Sequence, residues 1–562
     1  MIRYLLPLYE KFEPFTNYET TIEELSNTWN CSTRYAKTII KKCYESGWVD
    51  WETYQGRGKK PQLKIKLPKL QAIFIEFDKQ WQGAQYDKAY KLLHKYQLLG
   101  KPEVNTWLID RYGFTKSDDE QDVFRYPYPK VELILDPLKG LSRHDSHIAQ
   151  QIFGTLFEFC TETQQARPNL VFAYHTVDHR VWRFTLRKDV TFHDGEKLTS
   201  RDVVASLKRT MNTVFDLFTI VKIISLNSYS IEITLENPNA LFPRLLCSTK
   251  MAIVSYEWIK GGEIGVPVGS GPFQLTIFKE EYMQLTAFPN YFKERPWIDV
   301  VEIIHTPAIV KFGLSTSPFD VTIPHTKKTF HEEGGDFILL NTTSHSVLQD
   351  EQLRRTVYSL INPNEYCLKE YGETVAHSFF LNADEVVVPI KDLVPGNHFP
   401  KLKIGVQQIR ANVNHLREAN ILSERLTAYE IEHEIELAPY RTPSDQLASN
   451  YDIYIGGVAL GQDRIISLLH IFQSVQFPFM TFLNGNVKGQ VDELLEQILN
   501  YTDDQLVFKL FIEVEKIMQQ AATIKFLSHR THNLYIRDDS PFAGIEMETN
   551  GKIDYRKIYR IQ

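Results

Sequence analysis

The stretch from Thr20 to Trp48 reads TTIEELSNTWNCSTRYAKTIIKKCYESGW, and it constrains the fold more than any other part of the chain. Thr20 or Thr21 can cap a first helix, and Glu23 or Glu24, three residues on, can close a capping box. Ile22 and Leu25 give that helix its apolar stripe. A second helix starts near Ser32 or Thr33, both good N-caps. Its Ala36, Ile39, Ile40 and Cys43 recur at the spacing of one buried face, while Arg34, Lys37 and Lys41 fall on a different face. Helix, tight turn and a second helix with a basic face predict a helix-turn-helix. The next residues, GWVDWETYQGRGKKPQLKIKL (47–67), predict a wing. Trp48 and Val49 begin one strand, Gly56 and Gly58 permit the turn, and Leu63, Ile65 and Leu67 alternate with Lys64 and Lys66 on the way back. The tryptophans seat this wing on the helices.

Charge sharpens the reading. Residues 31–70 hold ten basic and three acidic side chains, in a chain whose net charge is −7. A basic head on an acidic body points to nucleic acid. Ser32, Thr33, Arg34 and Lys37 are the candidates for base and phosphate contacts. Lys41, Arg57, Lys59 and Lys60 are the candidates for phosphate alone. A merely solvated basic face is the plainer alternative.

The same residues resemble the N-terminal domain of the SgrR-like transcriptional regulators: the Cys-Ser-x-Arg start of the second helix, Gly-Trp-x-x-Trp and Gly-Arg-Gly-Lys. The likeness covers residues 1 to about 67 and implies binding to double-stranded DNA. Pro7 departs from it, so an opening helix must begin there or kink.

Residues 68–122 read as a bridge. QAIFIEFDKQWQGAQYDKAYKLLHKY places Trp81, Tyr86, Tyr90, Leu93 and Tyr96 at helical steps, a pattern of packing between domains rather than of a ligand box. EVNTWLIDRY adds a short helix, and TKSDDEQD (115–122) reads as an exposed acidic linker.

From 123 onward strands and helices mix. VELILDPL predicts a strand, and SHIAQQIFGTLFEF predicts a helix aligning Ile148, Ile152, Leu156 and Phe159. VWRFTL alternates Trp182, Phe184 and Leu186 against Val181, Arg183 and Thr185. A turn at Asp194-Gly195 then leads to a helix capped by Thr199 or Ser200. FHDGEKLTSRDVVASLKR, VGSGPFQLT, FILLNTTSHSVLQDEQLRRTVYSLINPNEY, NVKGQVDELLEQI and EKIMQQAATIKFLS resemble, in that order, the family 5 solute-binding proteins. The resemblance implies a multidomain α/β protein, a winged helix-turn-helix followed by a two-lobed, periplasmic-binding-protein-like α/β domain over 123–562. Lobe I would take about 123–305 and 529–562, and lobe II about 306–528. A small solute would bind between them, and hinged closure would reach the head.

In peptide-binding relatives the segment matching YDIYIGGVALGQDRII carries an acidic anchor near a Trp-x-x-Asp-Tyr motif. Here Leu460 stands nearest the anchor and Gly457 replaces the Trp, with Asp463 close by. That departure weighs against a peptide, and the resemblance to the SgrR-like regulators implies a sugar or sugar phosphate as the solute instead. Arg143, His144, Ser270 and Asp463 are the cleft candidates. Arg143 would suit a phosphate or carboxylate, with a plain surface role as the alternative.

Other chemistry is set aside. His144-Asp145-Ser146-His147 lacks a third metal ligand, His175 and His179 lie in a loop with Asp178, and GSGPF lacks the Lys-Ser/Thr of a phosphate loop. The five cysteines form no CxxC or Cys/His cluster. No catalytic residue, metal or cofactor is expected. The opening residues show no apolar export segment, so a cytoplasmic location with no membrane partner is expected. The rival readings are an uptake-system receptor with a basic docking head, and a general RNA binder. The sequence leaves monomer and homodimer both open.

Overall fold

The computed structural model describes the chain apart from residues 1, 55–58, 84, 99–100, most positions between 102 and 112, 117–120, 130–132, 141–142, 212–217, 280–281, 307–324, 389–399, 411–412, 440–441, 474–476, 539–541, 549–551 and 562. A few further side chains, Arg143 among them, also fall outside the description.

The head opens with two 3-10 helices, Ile2–Tyr4 and Leu6–Glu10, the second of which holds Pro7 in its first turn, where a missing N–H costs nothing. A short strand, β1 (Asn17–Glu19), precedes α1 (Ile22–Thr28). Thr21 is the cap: its hydroxyl accepts from Glu24 N at 3.2 Å, and Glu24 Oε2 accepts from Thr21 N at 2.9 Å. Ser32 caps α2 (Thr33–Glu45), which buries Ala36, Ile39, Ile40 and Cys43. The wing is β2 (Val49–Glu52) against β3 (Gln62–Ile65), antiparallel. β1 pairs with the other edge of β3. Three residues are too few to show an alternation, so sequence does not announce β1.

The bridge consists of α3 (Lys69–Gln82) and α4 (Tyr86–Lys95). A head ending at 67 with a separate bridge is not what packing produces. Leu5, Leu8 and Tyr9 share one apolar core with Phe77, Trp81, Tyr90 and Leu93, and Tyr9 Oη donates to Leu67 O at 2.7 Å. Of the short helix expected next, Val104 and Trp107 are helical and the other residues lie outside the description. Trp107 stacks on Phe74 at 4.0 Å.

The expected linker at 115–122 is instead a pair of strand ends. β4 (Gly113–Lys116) pairs with β5 (Asp122–Pro129), Lys116 opposite Asp122, and Asp122 is buried. Residues 117–120 lie outside the description. β5 runs parallel to Val300–Thr306, in a five-stranded sheet completed by Tyr282–Ala287 and Phe273–Lys279.

Two further expectations change. Leu133–Leu135 is not a strand, because Ile134 N donates to the Asp145 carboxylate at 3.0 Å rather than to a ladder. The helix after it, Arg143–Ile152, stops before Gly154. Leu156 thus joins a second lobe I core, and Phe159 lies on the strand Phe157–Cys160. That second core holds Trp182, Phe184 and Leu186, buried as their alternation predicts, beneath the helix Ser200–Met211. Asp202 accepts from Thr199 N and Oγ1, both at 2.9 Å, at that helix's start.

Lobe II is built on a six-stranded sheet of Val413–Asn414, Leu402–Arg410, Ile453–Ala459, Gly334–Leu340 and Ile524–Phe526, with His433–Pro439 alongside Leu402–Arg410. The chain crosses between the lobes on His325–His331 and Thr531–Arg537, which pair antiparallel. At the foot of that crossing Arg530 donates to the buried Asp336 at 2.8 Å.

Glu515, on the helix Asp504–Gln520, is buried against Ser378 and Phe379. Burial pushes its carboxyl up to about 8, against the hydrogen bonds from Ser378 and Phe379 N. A raised pKa in the folded state means that the proton favours folding at low pH, and that this benefit drains away as pH rises toward 8. Glu515→Gln is expected to match the parent near pH 5 and to be more stable by roughly 3 kcal/mol at pH 8. Denaturant titrations at the two pH values check this, and equal stabilities at pH 8 would contradict it.

Candidate functional site

On α2 the face opposite the core carries the predicted DNA candidates. Ser32, Thr33, Arg34, Lys37 and Lys41 are all exposed. Lys41 lies 3.7 Å from Glu45, an open pair one helical turn on that solvent screens strongly. Lys59 and Lys60 stand exposed before β3, and Arg57 lies outside the described residues. Trp48 and Trp51 pack on the head core and hold the wing to the helices.

Sequence reasoning missed two neighbours of this face. Tyr35 Oη lies 3.0 Å from Tyr4 Oη, and Arg3 donates to Tyr4 Oη at 2.9 Å. An arginine from the chain's start therefore sits beside the first turn of α2. Thirty residues separate them, and no periodicity links them.

The head is also tied to the body. Tyr86 of α4 packs on Tyr282 with ring centroids 5.0 Å apart, and Ile304 joins the same core. Tyr282 Oη donates to Glu302 at 2.9 Å, and Glu302 in turn accepts from Arg125 on β5. The strand Val300–Thr306 thus touches the bridge on one side and β5 on the other.

Between the lobes lies a cavity of about 860 Å³. Lobe I lines it with, among others, Phe159, Lys250 and Tyr291, and lobe II with Gly461, Asp463 and His470. One edge is latched. Arg244 of lobe I donates to both oxygens of Asp463 at 2.8 Å and also to Asp504, both in lobe II. Ala240 N donates to Leu499 O at 3.0 Å beside it, and Leu241 and Leu245 enter a lobe II core. Burial opposes the charge on both Arg244 and Asp463. The hydrogen bonds that Arg244 donates to Asp463 nonetheless raise the Arg244 pKa overall.

The four cleft candidates separate. Asp463 faces the cavity, but Arg244 engages its carboxylate. Ser270 is fully buried with its Oγ against Gly154 and does not line the cavity. His144 Nδ1 lies 2.7 Å from Lys552 Nζ, away from the lining. Arg143 begins its helix, and its side chain lies outside the description. The histidines set aside for metal have structural surroundings too, and His175 lies on the strand Val171–Thr176 rather than in a loop. His147 is buried edge-on to Tyr555, and burial lowers it to about 3. Asp178 accepts from Arg180 N and Val181 N at 2.9 Å to shape the turn at His179. Among the described residues, no group of three or more His, Cys, Asp or Glu could hold a metal ion. No helix among them is long and apolar enough to cross a membrane.

Comparison with known proteins decides what these parts are. Residues 3–111 match the family model for the sugar transport-related sRNA regulator N-terminal domain. Residues 165–310 match that for bacterial extracellular solute-binding proteins, family 5. The chain joins an SgrR-type N-terminal domain to a family 5 solute-binding domain. The SgrR-type match covers the head and the bridge together, as their shared core does.

Among curated relatives, the chain is 31% identical over 367 residues to the uncharacterized protein YhjP of Bacillus subtilis, covering 63% of each. It is 29% identical over 356 residues to the HTH-type transcriptional regulator SgrR of Photorhabdus laumondii, covering 61% of this chain and 62% of that one. The chain thus spans a little under two thirds of the length of these relatives. The family 5 fold is shared with NikA from Brucella suis, solved with Fe(III)-EDTA (TM-score 0.62, 16% identity, 78% of this chain and 99% of that one). It is also shared with a dipeptide-binding protein from Pseudoalteromonas, solved with Met-Leu (TM-score 0.62, 16% identity, 78% and 100%).

Proposed function

We propose that the protein is a cytoplasmic transcription regulator, not an enzyme, in which the SgrR-type head reads double-stranded DNA and the family 5 body senses a small solute. The solute is a sugar or sugar phosphate, and the controlled genes serve its transport or metabolism. The observation that carries this reading is the outward face of α2. It sets Ser32, Thr33, Arg34 and Lys37 on a helix whose other face is core, beside a wing ending in Lys59 and Lys60. Such a helix enters the major groove with its N-terminal turn while the wing meets phosphates. The regulator named SgrR in relatives supports the same reading. The body's proposed role is supported by its latched cleft and by the core that α4 shares with Tyr282 and Ile304.

The test separates base reading from charge. Arg34→Ala is expected to cost about 1–3 kcal/mol on the operator selected from genomic DNA, and much less on random duplex. Lys59→Ala should weaken both alike and lower the salt slope by about one. Anisotropy titrations on the two duplexes measure this. Equal losses for Arg34→Ala on both would remove it from base recognition.

A further inference from the structure

We propose that Arg3 grips a phosphate of the DNA beside the first turn of α2, steadied there by Tyr4 and Tyr35. This rests on the reading of the head as a DNA binder, and it adds a contact from outside the helix-turn-helix and the wing. Arg3 and Tyr4 belong to the 3-10 helix Ile2–Tyr4, and Ile2 and Leu5 on either side of them are buried in the head core. Trp29 Nε1 donates to Tyr4 O at 2.6 Å, which ties the same segment to the end of α1. Arg3 is thus an exposed residue between fixed points. It donates to Tyr4 Oη at 2.9 Å, with its guanidinium carbon 4.9 Å from the centre of the Tyr4 ring. Tyr4 in turn meets Tyr35 of α2 edge-on, the ring centroids 6.1 Å apart and the hydroxyl oxygens 3.0 Å apart.

The position of this charge fits DNA. Successive residues turn about 100° round an α-helix, so Tyr35 stands about 100° from Arg34 on one flank and Lys37 about 60° from it on the other. Arg3 therefore adds a cation, at the N-terminal end of α2, on the flank that Lys37 does not serve. The exposed Lys42 continues that flank about two turns on. A recognition helix enters the major groove N-terminus first, between two phosphate backbones. Cations on both flanks meet both backbones. The partner that Arg3 already has is a phenol, which takes one of the five guanidinium N–H groups and none of the charge. Glu76 of α3, the acid whose field reaches Arg3, is buried and accepts from Gln80 at 3.1 Å. A phosphate would take the remaining N–H groups in the paired geometry that guanidinium favours. Because Tyr4 already orders the side chain, less freedom is lost on binding than for an unbraced arginine. Arg3 is the contact, and Tyr4 and Tyr35 are positioning residues.

The experiment uses the full chain and follows anisotropy on the selected operator and on random duplex over a range of salt. Arg3→Gln keeps a donor for Tyr4 and removes the charge. It is expected to weaken both duplexes by roughly fivefold and to lower the slope of log affinity against log salt by about one. Arg3→Lys should restore the slope but only part of the affinity. Tyr4→Phe keeps the ring and the charge of Arg3, so the slope should hold while both affinities fall by roughly twofold. Lys222→Met, on the strand Ile220–Asn227 of the body, should leave everything unchanged. Should Arg3→Gln melt early, Arg3→Lys and Tyr4→Phe carry the test, and parental affinity in both would overturn the braced contact. Affinity and slope unmoved by Arg3→Gln, where Lys59→Ala lowers both, would overturn the Arg3 contact and keep the DNA-reading head. A loss on the operator alone with the slope unchanged would also overturn a phosphate contact. Binding unmoved by Arg3→Gln, Arg34→Ala and Lys59→Ala alike would sink the reading of the head itself.

Discussion

Arg244→Ala is expected to destabilise the body by about 3–5 kcal/mol and to release one edge of the cleft. The guanidinium is the only cation that the described structure places against both Asp463 and Asp504. The Asp463 side chain is 11% exposed. Truncating Arg244 leaves a carboxylate in a site with little water to receive it, and the loss then exceeds what the pair itself contributes. The accompanying contacts, Ala240 N to Leu499 O and the Leu241 and Leu245 side chains in the lobe II core, do not replace that charge. A lower melting temperature and a larger radius of gyration in solution scattering should appear together. Adding Asp463→Asn should return part of the stability, because the stranded charge is then gone. A variant that melts within a degree of the parent with unchanged scattering would show that Arg244 is no latch.

Gly269→Ala should be comparably damaging, and for folding itself. The loop VGSGPF is pressed onto the C-terminal end of the helix Arg143–Ile152. A Cβ at Gly269 would stand 2.1 Å from Ile152 O, and one at Gly271 2.5 Å from Ile152 C. Gly271 N donates to Ile152 O at 2.8 Å and His193 N to Gly269 O at 2.9 Å, so the backbone cannot retreat without losing both. A loss of about 3 kcal/mol or more is expected, enough to empty the soluble fraction on expression. Gly489→Ala is the control. It lies in the helix Gly485–Ile498 with open space around it, and should gain about 0.5–1 kcal/mol. A Gly269→Ala protein that is as stable as the parent would refute the close approach. The loop's glycines are thus explained by packing, and Ser270 between them is a core hydroxyl, not a ligand contact.

What could be read from the chain follows the range of the physics involved. The caps of α1 and α2, the buried quartet of α2 and the alternation around Trp182 are local patterns, and they appear where the residues place them. Three things could not be read that way. β1 is too short to carry a signal. The strand ends at Thr115–Asp122 look like a linker because their acidic residues hide a ladder whose partner lies in the same hairpin. The helix expected to reach Phe159 stops at Ile152 because Gly154 and the next core compete for Leu156. The cleft was the least legible part. Lys250 and His470 lie 220 positions apart in sequence, and Asp463 was visible only as an acid near a familiar loop. That Arg244 already occupies it is a fact of tertiary structure.

The head and the body share a core through Tyr86, Tyr282 and Ile304, to which α2 contributes Ile39, Ile40 and Cys43. The most direct measurement is the affinity of the full chain for its selected operator and for a scrambled duplex of the same length, each with and without the solute that stabilises the body. The account predicts at least a hundredfold preference for the operator, and a change of fivefold or more in operator affinity when the solute is present. Equal affinity for both duplexes, unmoved by any solute that binds the cleft, would contradict it.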